Sequence, residues 1–358
     1  MCINRTFKSP NLLPHMKKLI ASILIVLVVC VSFNYPTDCY AYGSRPALAA
    51  RSALIYNPDN GKVVYSKNMS VKRPVASLTK IMTAIVVLDH LKLAKKVSVS
   101  KKASLTQPSK VYLVRGEQYT VQDLLYAMLL NSGNDAAVCL AEAVAGTEWK
   151  FVQIMNKKAQ MLGARNTRFI NASGLPGSGQ YSTTHDLARI MKGAMRYNFI
   201  RKAMGKKVYT IRRPNGKKIR LRNHNKLLWR YSKKVMGKTG YTHAAGRCFL
   251  GYATYGKKKM IVVILNSKNM WGDARSLLDY VFGRDNQQII RMNRKIHGKN
   301  DIKRIQRALM KAGYSPGRID GVFGVKTLSS VFQFQQRFGL KVDGVVGPKT
   351  YGKLKRYI

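Results

Sequence analysis

Pro74-Val75-Ala76-Ser77-Leu78-Thr79-Lys80, followed directly by the apolar run Ile81-Met82-Thr83-Ala84-Ile85-Val86-Val87-Leu88, is the stretch on which the reading of this chain turns. The apolar run predicts a helix. Ser77 then falls in its first turn, with Lys80 one turn on and on the same face. A hydroxyl and an amine held that close are the parts of a serine nucleophile with a lysine as its base. Alone, the pattern equally describes a solvated helix start, and a chain this basic contains Ser-x-x-Lys by chance. Its surroundings decide between the two.

The 358 residues leave room for a targeting segment, one sizeable domain and a small second one. The charge is unusual: 64 Lys and Arg against 15 Asp and Glu give a net +49. Such a chain is drawn to polyanions. Nucleic acid, anionic cell-wall polymers and lipid head groups all fit that charge. The basic residues are spread through every segment and no nucleic-acid motif accompanies them, so no nucleic-acid partner is expected. Cys2, Cys30 and Cys39 lie in or before a leader-like segment. Cys139 and Cys248 sit in apolar segments and read as small buried residues, not as a bridge or a metal site. No pair among the six histidines has metal-ligand spacing.

Lys17 and Lys18 precede an apolar stretch over residues 19–33, the pattern of a secretory signal. The signal segment is read as residues 1–41, cleaved after Ala41, with Met16 a candidate true start; an uncleaved anchor is the alternative. Export would place the protein in the cell wall or on the outer face of the cytoplasmic membrane. Next, Ala53-Leu54-Ile55-Tyr56 and Lys62-Val63-Val64-Tyr65-Ser66 flank a Pro/Asn/Asp/Gly cluster and predict a hairpin. A helix over residues 122–130 ends at Asn131-Ser132-Gly133-Asn134, where a new helix begins, capped by Asn134 or Asp135 and closed by Gly146. Thr183 and Thr184 open another helix. Lys238-Thr239-Gly240 is read as the opening of a strand. Strands over 248–254 and 260–265 follow, then a helix to residue 282. The order predicts an α+β (α/β) domain over 50–283, a mainly antiparallel sheet covered by helices.

Residues 284–299 are polar and basic and read as a linker. In the last segment, 300–358, Asp320-Gly321-Val322-Phe323-Gly324-Val325-Lys326-Thr327 is echoed by Asp343-Gly344-Val345-Val346-Gly347-Pro348-Lys349-Thr350. Each Asp-Gly is a turn signal. Helical faces lie before each echo, so the segment reads as a small three-helix module with two matched turns.

Three short motifs stand in order: Ser77-Leu78-Thr79-Lys80, Ser132-Gly133-Asn134 and Lys238-Thr239-Gly240. With their flanks, Asn131 to Ala137, Tyr181-Ser182-Thr183 with Asp186-Leu187-Ala188, and Gly237 to Thr242 with Ala245-Gly246, they resemble the penicillin-binding and serine β-lactamase fold group. More narrowly, residues 50–283 resemble the low-molecular-weight D-alanyl-D-alanine carboxypeptidases. The last segment resembles the peptidoglycan-binding domain of wall enzymes.

The resemblance implies a serine-type carboxypeptidase that removes the terminal D-alanine from peptidoglycan stem peptides. Ser77 would be the nucleophile, Lys80 the general base and Ser132 the proton relay to the leaving group. Asn134 would hold the substrate amide, and Lys238 and Thr239 its terminal carboxylate. Gly240 would let the strand approach the substrate. The oxyanion would sit on the backbone N–H groups of Ser77 and Tyr241. For Lys80 to be neutral, a second ammonium nearby is needed, and Lys238 would supply it. The chemistry needs no metal and no cofactor. β-Lactams would acylate Ser77 and leave slowly, because no glutamate follows Glu148 and no lactamase-type Glu-x-x-Leu-Asn is present.

Tyr112, Tyr119 and Tyr126 read as packing residues, and His185 and His243 as structural. Family members often bind substrate with an arginine after the last strands; Arg275 is the nearest, at a spacing that does not match. Two other readings stay open: a D,D-endopeptidase that cuts cross-links, and a wall-binding protein without catalysis.

Overall fold

β1 (Ser52–Tyr56) is buried at all five positions, the signature of a strand covered on both faces. The computed structural model describes residues 45–231, 234–282 and 286–358. The expected signal segment lies outside the described residues. β2 (Val63–Lys67) folds back on β1 through a turn in which Gly61 takes φ 75°. On its other side β1 pairs with β9 (Lys258–Ser267), which carries β8 (Gly246–Tyr255) and then β7 (Lys234–Thr242). Every pairing is antiparallel, and the sheet runs β2-β1-β9-β8-β7, with β7 at an edge.

Alternation along the strands sorts side chains between two layers. Leu54, Leu250, Ile261, Val263 and Leu265 face one apolar cluster; Ile55, Phe249, Val262 and Ile264 face another. The first is closed by α1 (Lys80–His90), α2 (Val121–Leu130), α3 (Asn134–Ala145), α4 (Glu148–Met161) and α5 (Thr184–Ala194). The second is closed by α6 (Met270–Phe282), through Ala274, Leu277 and Leu278. Each fully buried Leu or Ile contributes about 1.5–3 kcal/mol. The helix-covered antiparallel sheet is the one expected from the order of elements.

Local signals explain the helix starts. The hydroxyls of Thr120, Thr147 and Thr183 accept from the backbone N–H of Asp123, Lys150 and Asp186. Each such cap is worth about 1 kcal/mol. Gly146 ends α3 at φ 75°. Neither Asn134 nor Asp135 is the cap of α3: Gly133 holds that position and Asn134 is the first helical residue. Two hairpins flank the helical layer, β3 (Lys96–Ser98) with β4 (Gln118–Thr120), and β5 (Val208–Arg212) with β6 (Lys218–Arg222). Tyr119 and Tyr126 are buried, as expected of packing residues, and Tyr126 stacks on Tyr209 at 3.8 Å between ring centroids. Tyr112 is exposed instead, in a left-handed conformation at φ 59°. Cys139 and Cys248 are free and buried. Burial pushes their thiols up to about 12 and about 11, so both are inert at neutral pH.

Among the described residues the last segment holds the three α-helices expected of it, α8 (Lys299–Lys311), α9 (Val325–Arg337) and α10 (Pro348–Leu354), and a further helix, α7 (Asn286–Ile296), precedes them. α7 occupies the stretch read as a linker. Its Ile289 and Ile290 are buried in the C-terminal core with Ile305, Leu309, Val331 and Phe334. Buried Asn293 fixes it further, donating to Gly344 O (2.9 Å) and accepting from Val346 N (2.9 Å). The sequence echo has a structural cause. Buried Gln306 of α8 takes the N–H of Gly321 on its carbonyl and donates to Asp320, Val322 O and Thr327. Buried Gln335 of α9 does the same for Gly344, Asp343, Val345 O and Thr350. Each glutamine closes one Asp-Gly turn.

Candidate active site

Ala76–Thr79 form a single 3-10 turn, and the α-helix begins only at Lys80. Ser77 thus lies before α1 and not within its first turn. The chain reaches this turn through Ala76 at φ 48°, a left-handed conformation rarely taken by alanine. Such strain persists only where surrounding contacts over-determine it. Lys80 is fully buried. Its Nζ lies 3.0 Å from Ser77 Oγ and donates to Asn134 Oδ1 (2.7 Å) and Ser173 O (2.5 Å), so the neutral amine has its lone pair left for the Ser77 hydroxyl. Burial and then the nearby Lys238 charge hold its ammonium well below the ordinary lysine range, against a smaller opposing pull from Asp135.

The second motif sits in the loop between α2 and α3. Ser132 is left-handed, at φ 62°. Its Oγ accepts from Lys238 Nζ at 3.0 Å. Lys238 lies at the middle of β7, not at its start, and is buried. Burial brings its ammonium down to about 7. The carboxylate of Asp135, fully buried, takes the backbone N–H groups of Val111, Leu113 and Ala136. It pins the loop that precedes β4 against the start of α3. Asn134 is engaged at both ends: Oδ1 by Lys80, and Nδ2 by donation to Gln107 O (2.9 Å). The same nitrogen carries a second N–H, and Asn134 lines the cleft.

Two glycines let these pieces meet. A Cβ on Gly240 would lie 3.0 Å from Val75 O, 3.1 Å from Ser77 N and 3.2 Å from the Ala76 Cβ. The close approach at Gly240 is therefore first of all to the Ser77 turn. Gly174, at φ 82°, is tighter: a Cβ there would stand 2.0 Å from Ala76 O. The residue after Ser173, whose carbonyl accepts a hydrogen bond from Lys80, thus presses on the strained peptide before Ser77.

Ser77, Ser132, Asn134, Thr239, Gly240 and Tyr241 line one cleft of about 600 Å³. Every residue predicted for the site is brought to it, Lys80 and Lys238 lying buried beneath. Arg247 also lines it, opposite Tyr241 on the neighbouring strand β8. Sequence reasoning missed Arg247; the signal was its place just after Gly246, where the next strand must return beside residues 238–242. Arg275 instead stacks on the Tyr231 ring at 5.9 Å. No Asp or Glu lines the cleft among the described residues. Glu142 accepts from Ser100, and Glu148 accepts from Ala172 N and pairs with Lys102. His185 packs edge-on to Tyr56, and His243 lies beside the Tyr241 ring.

Comparison with known proteins agrees with this geometry. A family model described as D-alanyl-D-alanine carboxypeptidase matches residues 41–269, and one described as a peptidoglycan binding domain matches residues 298–354. The D-alanyl-D-alanine carboxypeptidase DacF of Bacillus subtilis is 35% identical over 278 residues, 75% of this chain and 71% of the relative. A D-alanyl-D-alanine endopeptidase of Pseudomonas aeruginosa is 34% identical over 225 residues, 62% of this chain and 72% of the relative. The crystal structure of a D-alanyl-D-alanine carboxypeptidase from Mycobacterium tuberculosis superposes with TM-score 0.64 at 32% identity, covering 69% of this chain and 96% of that one. With a family match across most of its length, the chain belongs to the D-alanyl-D-alanine carboxypeptidase family of serine peptidases and carries a peptidoglycan binding domain behind the peptidase domain.

Proposed function

We propose that the protein removes the terminal D-alanine from peptidoglycan stem pentapeptides through an acyl-enzyme on Ser77. The observation that carries this is the buried amine of Lys80, 3.0 Å from Ser77 Oγ. Its neutral form is favoured by burial and by Lys238. It accepts the hydroxyl proton as Oγ adds to the carbonyl between the two D-alanines. The oxyanion takes the N–H groups of Ser77 and Tyr241. Ser132, tied to Lys238, passes a proton to the departing D-alanine amine. The bond to nitrogen then breaks and the Ser77 ester remains. Lys238, Thr239 and Arg247 hold the terminal carboxylate, and the second N–H of Asn134 holds the substrate amide. Water adds to the ester, Ser77 Oγ leaves with the returning proton, and the shortened peptide departs. β7 is an edge strand, so its outer backbone groups are open to an extended peptide.

D-Alanine release from a pentapeptide stem, with wild type and Ser77→Ala in parallel, tests this. The wild type is expected to release D-alanine and Ser77→Ala to lose at least about 10³-fold. Full activity of Ser77→Ala would remove Ser77 as the nucleophile, and no D-alanine release from the wild type would leave a wall-binding protein without catalysis. With penicillin, mass spectrometry is expected to show a long-lived penicilloyl adduct on Ser77, since among the described residues no carboxylate lines the cleft to activate water.

The endopeptidase reading uses the same groups, and a relative carries that name. Intact sacculi and free pentapeptide incubated side by side separate the two. Export to the wall, with the C-terminal unit on glycan and the basic surface on anionic wall polymers, completes the reading. Retention on wall material but not on DNA at physiological salt is expected.

A further inference from the structure

A second cavity of about 370 Å³ adjoins the cleft, lined by Arg222, Asn223, His224, Lys226 and Trp229. His224 and Lys226 line both spaces. Three of its five lining residues carry basic groups, and no acidic side chain lines either space among the described residues.

The backbone of this wall is fixed, and it presents the exposed side chains of Arg222, His224 and Lys226. Buried Asn223 donates to Met204 O (3.2 Å) and Lys206 O (3.0 Å), and buried Asn225 donates to Val235 O (2.8 Å). His224 is held between these two anchors. The Trp229 indole N–H donates to Asn223 O (3.1 Å), and the Arg222 guanidinium lies 4.7 Å from the Trp229 ring. Lys207 approaches the same ring at 5.4 Å. Such stacking orients an arginine without neutralising it.

The cavity also has a defined side. Arg222 N donates to Asn131 Oδ1 (2.8 Å), and Asn131 directly precedes Ser132. Partial burial, and then the nearby Lys238 charge, hold the His224 imidazole below its ordinary range, so His224 serves this wall as a neutral hydrogen-bonding group beside the two cations. Under the roles proposed above, Ser132 and Lys238 attend the group that leaves, so the cavity opens where that group departs.

From this juxtaposition we infer that the Arg222–His224–Lys226 cavity is a second anion subsite for the leaving group, which accepts leaving residues bearing a carboxylate beyond the one at the scissile end. The inference rests on the acyl-transfer reading of Ser77. It makes the enzyme selective for acidic leaving groups over neutral ones of equal size. Charge-assisted hydrogen bonds from the positive groups of Arg222 and Lys226 supply the discrimination.

The test uses the full chain and three synthetic peptides that differ only in the residue released: D-alanine, D-glutamate or D-glutamine. The readout is the ratio of kcat/KM for D-glutamate over D-glutamine, in which any general loss of activity cancels. The wild type is expected to favour D-glutamate by about tenfold or more, the worth of one hydrogen bond to a charged group. Arg222→Gln with Lys226→Gln should bring the ratio to near one, and Arg222→Lys with Lys226 intact should keep most of it. D-Alanine release with no preference for D-glutamate, or a preference that survives the double variant, overturns the inference alone. Failure to release D-alanine from the first peptide, with no penicilloyl adduct on Ser77, overturns the acyl-transfer reading and the inference with it.

Discussion

Lys80 and Lys238 are both buried, and the charge of Lys238 adds to burial in lowering the Lys80 ammonium. Replacing Lys238 by glutamine removes the like charge that helps keep Lys80 neutral. The Lys80 amine then rises toward the ordinary lysine range, and a base with a higher pKa loses activity at a higher pH. The acidic limb of penicillin acylation is therefore expected to move to higher pH in Lys238→Gln, as well as dropping in height. A pH profile of adduct formation followed by mass spectrometry checks this; a limb that stays in place would remove Lys238 from the electrostatics of the base. The glycines behind Ser77 give a graded pair. Gly174→Ala meets backbone at 2.0 Å in a left-handed conformation, whereas Gly240→Ala meets its neighbours at 3.0–3.2 Å. Gly174→Ala should cost about 2 kcal/mol or more of stability and most acylation, and Gly240→Ala clearly less, read by denaturant unfolding and adduct rate. The motif residues were legible because they are short, ordered and flanked by matching stretches. Gly174 and Arg247 were not, because their partners lie on other elements and only folding brings them together.

The β1–β2 hairpin and the helix start at Thr183 were read from local chemistry, since a turn cluster or a threonine cap acts within a few residues. Two elements were not. The 3-10 turn at Ser77 depends on a left-handed Ala76, which alanine does not encode; the contacts of Gly174 and Gly240 impose it. The polar look of residues 284–299 concealed α7, whose burial rests on Ile289, Ile290 and Asn293. That reading yields its own measurement. Asn293→Ala in the full chain leaves Gly344 O and Val346 N without their buried partner, a loss of roughly 1–3 kcal/mol. Hydrogen exchange at the Val346 amide is expected to quicken, with little change in the peptidase sheet. Unchanged protection would make α7 an appendage.

For the molecule as a whole, the buried lysines set how stability follows pH. Lys238 titrates at about 7 in the fold against an ordinary 10.5. Between those values the unfolded chain binds more protons, so stability rises with pH, by up to about 1.4 kcal/mol per pH unit for such a group. Lys80 acts in the same direction. Above about pH 10 the half-buried Tyr197 opposes this, since partial burial and its hydrogen bond to Asp89 hold it up at about 12 and the fold retains its proton. Thermal midpoints should climb from pH 7 to about 9.5, and Lys238→Met should flatten the climb. The few acids have a different use. Asp135, Asp186, Asp273 and Glu148 each accept backbone N–H groups, as staples between segments. Negative charge is drawn inward to fasten the chain, while most of the 64 Lys and Arg remain without an acid to answer them. The exterior is thus charged like a bead of anion-exchange resin: on the acidic wall polymer proposed above it would displace the mobile cations condensed there, and the entropy of their release, not any one contact, would govern how long the enzyme stays.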